Sequence, residues 1–277
     1  MDDERFAGLA PRRDAIDADG VRISYAVWGD DSPDIVMLHG ITSSAMTWWR
    51  VAPELARKGY RVIAPDMPGH GDSAGAGGSF ALAKTARTID AFMSVLAVRS
   101  PIVIGHSWGG GVTLLHAATP SSQVVPGGVV LVDPLIRMPH TGSAEYRETF
   151  LAQLGRPRSE LQGELRAANP AWDHYDVYWK AEALEKCQPA AVVGVFGENR
   201  DVDLRRELRN LVMPWGLIVA DPAHGGILSQ AMWQELEAAA AGGRGRVFGL
   251  PGVGHDVHRE DFAGFMAVLE RYLAVGA

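Results

Sequence analysis

The chain has 277 residues, 47% hydrophobic and 21% charged, with 33 acidic and 26 basic side chains for a formal charge of −7. Chains of this size bury about 75% of their unfolded surface, and so apolar a composition excludes a disordered protein. The acidic balance speaks against nucleic acid or an anionic membrane as partner, no apolar run is long enough for a span, and Met1-Asp2-Asp3-Glu4 lacks a secretory n-region, so a cytoplasmic protein is expected.

Short Val- and Ile-rich runs alternate with amphipathic stretches, the pattern of βα units around a largely parallel sheet. Strands are predicted near Ala15 and Ile16, then at Val21–Trp28, Ile35–Leu38, Arg61–Ala64, Ile102–Ile104, Val129–Val132, Trp215–Val219 and Arg246–Leu250. Helices are predicted at Met46–Lys58, Phe80–Ala97, Trp108–Ala118, Ile227–Ala241 and Glu260–Leu273. The stretch 135–210 is too long for an ordinary connection and has helical patterns of its own, so it reads as a cap inserted in a core made of 1–134 and 211–277. In it Trp172, Tyr175 and Trp179 fall at helical spacing, to pack the cap down or, alternatively, to line a substrate cavity.

Gly105-His106-Ser107-Trp108-Gly109 lies between a buried strand and a helix, the context in which G-x-S-x-G forms a sharp, strained turn that exposes a serine. A hydroxyl needs a base to become a nucleophile. His255, in the Gly-rich loop between the last strand and the last helix, belongs to the same carboxyl edge of the sheet as Ser107. His258 is expected at the surface or as a cap, and His39 and His106 as structural rings under their loops. His70, His116, His140, His174 and His224 have no comparable placement. Two carboxylates end strands and precede a proline, Asp133 and Asp221; either can orient His255, and Asp221 is the preferred of the two. Backbone N–H groups of Ile41, after His39-Gly40, and of Trp108 are the predicted oxyanion donors. No metal-binding constellation and no phosphate loop is present, so no metal and no cofactor is expected. Cys187, the single cysteine, cannot close an internal disulfide and lies away from every one of these motifs, which makes the nucleophile oxygen and not sulfur.

His39-Gly40, the segment Asp66 to Ser73, Gly105-His106-Ser107-Trp108-Gly109-Gly110 and Pro251-Gly252-Val253-Gly254-His255, in that order, resemble the α/β-hydrolase superfamily in its serine-nucleophile branch. The resemblance implies an α/β fold with an eight-stranded, mostly parallel sheet flanked by helices, a helical cap after strand 6, and a Ser-acid-His order. It also implies that Asp66 to Ser73 is a structural turn. Many members carry the acid in a Gly-x-x-Asp pattern beyond the seventh strand, where this chain has Ala223, with Asp221 two residues early; others take it from the end of the sixth strand, where Asp133 stands. Trp48 and Trp108 are placed as in haloalkane dehalogenases, but those use an aspartate where this chain has Ser107. The expected activity is hydrolysis of a small carboxylic ester or lactone with an apolar group, by an esterase or lactonase. C–C bond or amide hydrolysis with the same residues, or a ligand receptor of negligible turnover, are the alternatives.

Overall fold

A computed structural model describes residues 10–30, 32–75, 78–138, 143–241 and 243–276. His140 and the acidic start of the chain lie outside them. Eight strands form one sheet: β1 (Arg12–Ala18), β2 (Val21–Trp28), β3 (Asp34–Leu38), β4 (Arg61–Pro65), β5 (Ile102–His106), β6 (Gly128–Val132), β7 (Trp215–Ala220) and β8 (Gly245–Leu250). Their spatial order is β1-β2-β4-β3-β5-β6-β7-β8. β2 pairs antiparallel with β1 and β4, and all other pairs are parallel. β3, β6 and β7 are buried at every position, which is why they read as unbroken apolar runs.

Successive side chains of a strand point to opposite faces, so each strand supplies two cores. Val36, Val103, Val129, Leu131 and Leu217 pack on one face with Phe92 and Val112, from α2 (Leu82–Val95) and α3 (Trp108–Ala117). Ile35, Met37, Ile104, Val130 and Ile218 pack on the other with Trp48, Trp49, Phe265 and Leu269.

Two predicted helices are broken. In place of one helix over 46–58 there is a 3₁₀ turn at Ala45–Trp48 and then α1 (Val51–Arg57). Pro53 lacks an N–H and would clash with the carbonyl four residues back, so the helix restarts to bring it into the first turn. Beyond α9 (Gln230–Ala240), the last helix is α10 (Val257–Glu260) followed by α11 (Phe262–Gly276), parted at Asp261, whose carboxylate accepts the N–H of Gly264.

Between β6 and β7 the described residues form α4 (Ser143–Leu151), α5 (Arg158–Ala168), α6 (His174–Lys186), α7 (Pro189–Glu198) and α8 (Arg205–Arg209). Asp173 caps α6 in a capping box, so Trp172 precedes the helix and does not share its face with Tyr175 and Trp179. Tyr175 and Trp179 join the core of Trp48 and Trp49, and Trp172 lies under the Arg259 guanidinium at 4.6 Å. Asp176 ties this insertion to the core by accepting from Trp49 Nε1 at 2.8 Å and pairing with Arg50 at 2.8 Å. No described helix is long and apolar enough to cross a membrane.

Candidate active site

β3 is flanked by β4 on one side and β5 on the other, so the chain reverses its direction of travel there. The loops after β3 and β5 therefore leave the carboxyl edge side by side, and a crevice opens at such a switch point. The loop after β3 begins His39-Gly40-Ile41-Thr42; the turn after β5 is Ser107.

Ser107 has φ 56° and ψ −121°, the strained turn predicted from the motif, and stands as N-cap of α3. A Cβ on Gly109 would lie 2.5 Å from the His39 carbonyl, so only glycine lets the start of α3 reach the β3 loop. A Cβ on Gly40 would meet Ser107 Cβ at 3.1 Å, which puts this loop directly beside the serine. The Trp108 N–H, at the first position of α3, belongs to the four amides that a helix leaves without an internal acceptor. Ile41 follows Gly40 on the other side of the crevice.

His255 meets Asp133, not Asp221. The His255 Nδ1–H donates to Asp133 Oδ2 at 2.7 Å, and the same oxygen accepts the Ile227 N–H at 2.9 Å. Asp133 is fully buried at the end of β6, with φ 35°, and the neighbouring Ser107 N–H donates to the Val132 carbonyl just before it. Asp221 is occupied elsewhere. Its carboxylate accepts the Gly252 N–H at 2.8 Å and the Ala223 N–H at 2.8 Å and lies 3.1 Å from His224. Those hydrogen bonds hold it below the ordinary carboxylate range. Asp221 thus pins the loop before His255 without touching the ring. The preference for Asp221 fails because its oxygens turn back on their own turn and on Gly252, whereas the kink after β6 aims Asp133 at the imidazole.

Burial opposes charge on His255, but the Asp133 hydrogen bond and charge, with Asp256 and Glu260 nearby, outweigh it and raise its pKa above the usual histidine value. With Nδ1 committed to Asp133, Nε2 is the nitrogen left for proton transfer. His106 supports the ring from behind: its Nε2–H donates to the His255 carbonyl at 2.9 Å, and the rings lie 4.6 Å apart. Burial pushes His106 down to about 4, so it is neutral.

His39 is structural as expected, donating from Nδ1 to the Gly40 carbonyl and accepting the Met67 N–H at Nε2. His258 is fully buried against Thr47 Oγ1, contrary to its expected surface position. Asp66 accepts the N–H groups of Ala45 and Asp72, the structural turn that the resemblance implied. Burial drives the Cys187 thiol up to about 12. Two surface clefts, of about 440 Å³ beside Asp90 and His116 and about 360 Å³ beside Arg12 and Trp28, contain none of the predicted site residues.

Residues 35–268 match the model of the alpha/beta hydrolase family. The chain belongs to that family. It is 28% identical over 268 residues to N-formylmaleamate deformylase of Pseudomonas putida, covering 93% of this chain and 95% of the relative. The crystal structure of N-formylmaleamic acid deformylase from Pseudomonas putida S16 superposes with a TM-score of 0.77 at 24% identity, covering 93% of this chain and 100% of that one. That of E-2-(acetamidomethylene)succinate hydrolase gives 0.84 at 18% identity, covering 95% and 99%. The fold of these hydrolases is thus shared over more than nine-tenths of the chain.

Two residues beside the site escaped the sequence reading. Lys180, on α6, donates from Nζ to the carbonyl and Oγ1 of Thr42, at 2.9 and 2.8 Å. Arg259, almost wholly buried, pairs with Asp256 and donates to Thr47 Oγ1 at 2.7 Å. In sequence, Lys180 stands four residues after Asp176 and looks like half of a surface helix pair. Arg50 takes Asp176, and only the tertiary structure shows that Lys180 turns the other way.

Proposed function

We propose that the protein is a serine hydrolase that cleaves a small carboxylic ester or lactone through an acyl-enzyme on Ser107. The Asp133–His255 hydrogen bond carries this reading, because it fixes the imidazole with Nδ1 protonated and Nε2 free to accept a proton. His255 takes the Ser107 proton as the oxygen attacks the carbonyl carbon, and Asp133 stabilises the imidazolium that forms. The N–H groups of Ile41 and Trp108 hold the tetrahedral oxyanion. The imidazolium then gives its proton to the leaving oxygen. Water, deprotonated by the same histidine, releases the acid and restores Ser107. The insertion between β6 and β7 acts as the cap over this edge, and the substrate is a small molecule with an apolar group.

Amide hydrolysis is the second reading, and it has a specific support. The relative matched over 93% of the chain is named a deformylase of N-formylmaleamate, a compound with a C–N bond. The same steps serve, with nitrogen as the leaving atom.

A panel of 4-nitrophenyl esters, lactones and N-acyl amides, assayed with wild type and Ser107→Ala, tests both. The serine variant is expected to lose about 10⁶ in turnover on whichever class is cleaved. Retention of more than about a hundredth of wild-type activity would contradict the acyl-enzyme.

A further inference from the structure

Resting on that reading, we infer that the substrate carries a carboxylate and that Lys180 binds it. The Lys180 ammonium has three N–H donors, and its acceptors among the described residues are both neutral oxygens of Thr42. Among the described residues no carboxylate pairs with it. The residue is partly buried, and desolvation, with Arg259 nearby, brings the ammonium down to about 8; Asp256 and Cys187 only partly offset this. A partly buried cation whose acceptors are both neutral, beside a reaction site, is placed to receive an anion.

Its position sets which anion. Thr42 directly follows Ile41, so the ammonium, in hydrogen-bond contact with Thr42, lies within about 10 Å of the proposed oxyanion donor. A carboxylate a few carbons from the scissile carbonyl spans that gap. In the same region two buried polar atoms have no hydrogen-bond partner among the described residues: the Trp108 indole N–H, a donor, and His70 Nε2. Their rings lie 5.3 Å apart, and the Lys180 charge acts on His70. His70 Nδ1 donates to the Pro68 carbonyl, and burial lowers its pKa to about 4, so Nε2 is an acceptor. A substrate whose carboxylate meets the ammonium, with an acceptor oxygen for the Trp108 N–H and an O–H or N–H for His70 Nε2, complements this set, and a wholly apolar one does not.

The experiment compares a matched pair, mono-4-nitrophenyl glutarate and 4-nitrophenyl valerate, with wild type, Lys180→Met and Lys180→Arg. Wild type is expected to favour the acid ester in kcat/KM. Lys180→Met is expected to lower the acid-to-neutral ratio by about 10- to 100-fold, mostly through KM, as one charge-assisted hydrogen bond is lost. Lys180→Arg should restore part of it. Equal losses on both esters would make Lys180 a structural tie to Thr42 and overturn the proposal. Should Lys180→Met not fold, inhibition of wild type by glutarate and by glutaramide decides: the dianion should bind at least about tenfold more tightly, and equal inhibition refutes the site. If neither ester is cleaved in a Ser107-dependent way, the ester reading fails by itself, and calorimetric titration of glutarate into Ser107→Ala still tests the anion site, absence of binding refuting it.

Discussion

The Asp133 carboxylate and the His255 imidazole meet at 2.7 Å although 122 residues separate them in the chain. Each arrives from a different strand end, β6 and β8, and they meet beside the turn that follows β5. Removing the charge on Asp133 should therefore cost far more than its place under the insertion suggests. Asn tolerates the positive φ of this position, so Asp133→Asn should stay folded while kcat falls by about 10⁴, the scale set by loss of the correct tautomer. Asp221→Asn should stay within about tenfold of wild type, since it acts only through the loop. Steady-state kinetics of the two variants, with circular dichroism as the folding check, decide; the reverse ranking would return the acid to Asp221.

The pH profile has a sign that follows from the same contact. Base catalysis needs neutral His255, and Asp133 raises the pKa of that ring, so kcat/KM should climb with pH through a midpoint above 6.5. In Asp133→Asn the largest raising contribution is gone while burial remains, so the midpoint of the residual activity should move down. For stability, a raised folded pKa means that the contribution of this contact is complete below the unfolded value and is lost as pH rises through the folded one.

Ser107 carries the backbone strain of the site. A non-glycine residue at φ 56° costs about 1–3 kcal/mol, and glycine recovers most of this while losing some to its freer unfolded chain. Ser107→Gly should therefore be inactive and yet more stable than Ser107→Ala by about 1 kcal/mol in urea unfolding. Equal stabilities would mean that the turn is not strained.

Gly109→Ala tests the close approach of α3 to the loop after β3. The added methyl would sit 2.5 Å from the His39 carbonyl and 2.6 Å from that of Leu38, both backbone atoms. A loss of about 2 kcal/mol is expected, with a lower melting temperature and a fall in kcat as the Ile41 amide moves with its loop. An unchanged melting temperature would show that the helix can yield at no cost.

The strands were legible because burial on both faces leaves an unambiguous mark, as Val129–Val132 does. The places of Ser107 and His255 in the fold were legible because glycines punctuate the loops that hold them. The carboxylate that meets His255 was not, since Asp133 and Asp221 look alike in sequence: each ends an apolar strand and precedes a proline. What separates them is φ 35° at Asp133 and the N–H groups of Gly252 and Ala223 that claim Asp221, and these are tertiary facts. Lys180 stayed hidden for the same reason, with a plausible helical partner that Arg50 removes. Where Pro53 stands inside a periodic run, the period outlasted the helix, and the proline was the better signal.

β8 is one of the sheet's two edge strands, paired with β7 alone, and most of its residues keep some contact with solvent. The loop that follows it delivers His255. Peeling this one strand away breaks a single ladder, yet it separates His255, the proposed base, from both Ser107 and Asp133. On mild heating or in low denaturant, catalysis should thus disappear while most amides of β3, β5 and β6 remain protected from hydrogen exchange. The enzyme would fail first at its margin, with its centre still intact.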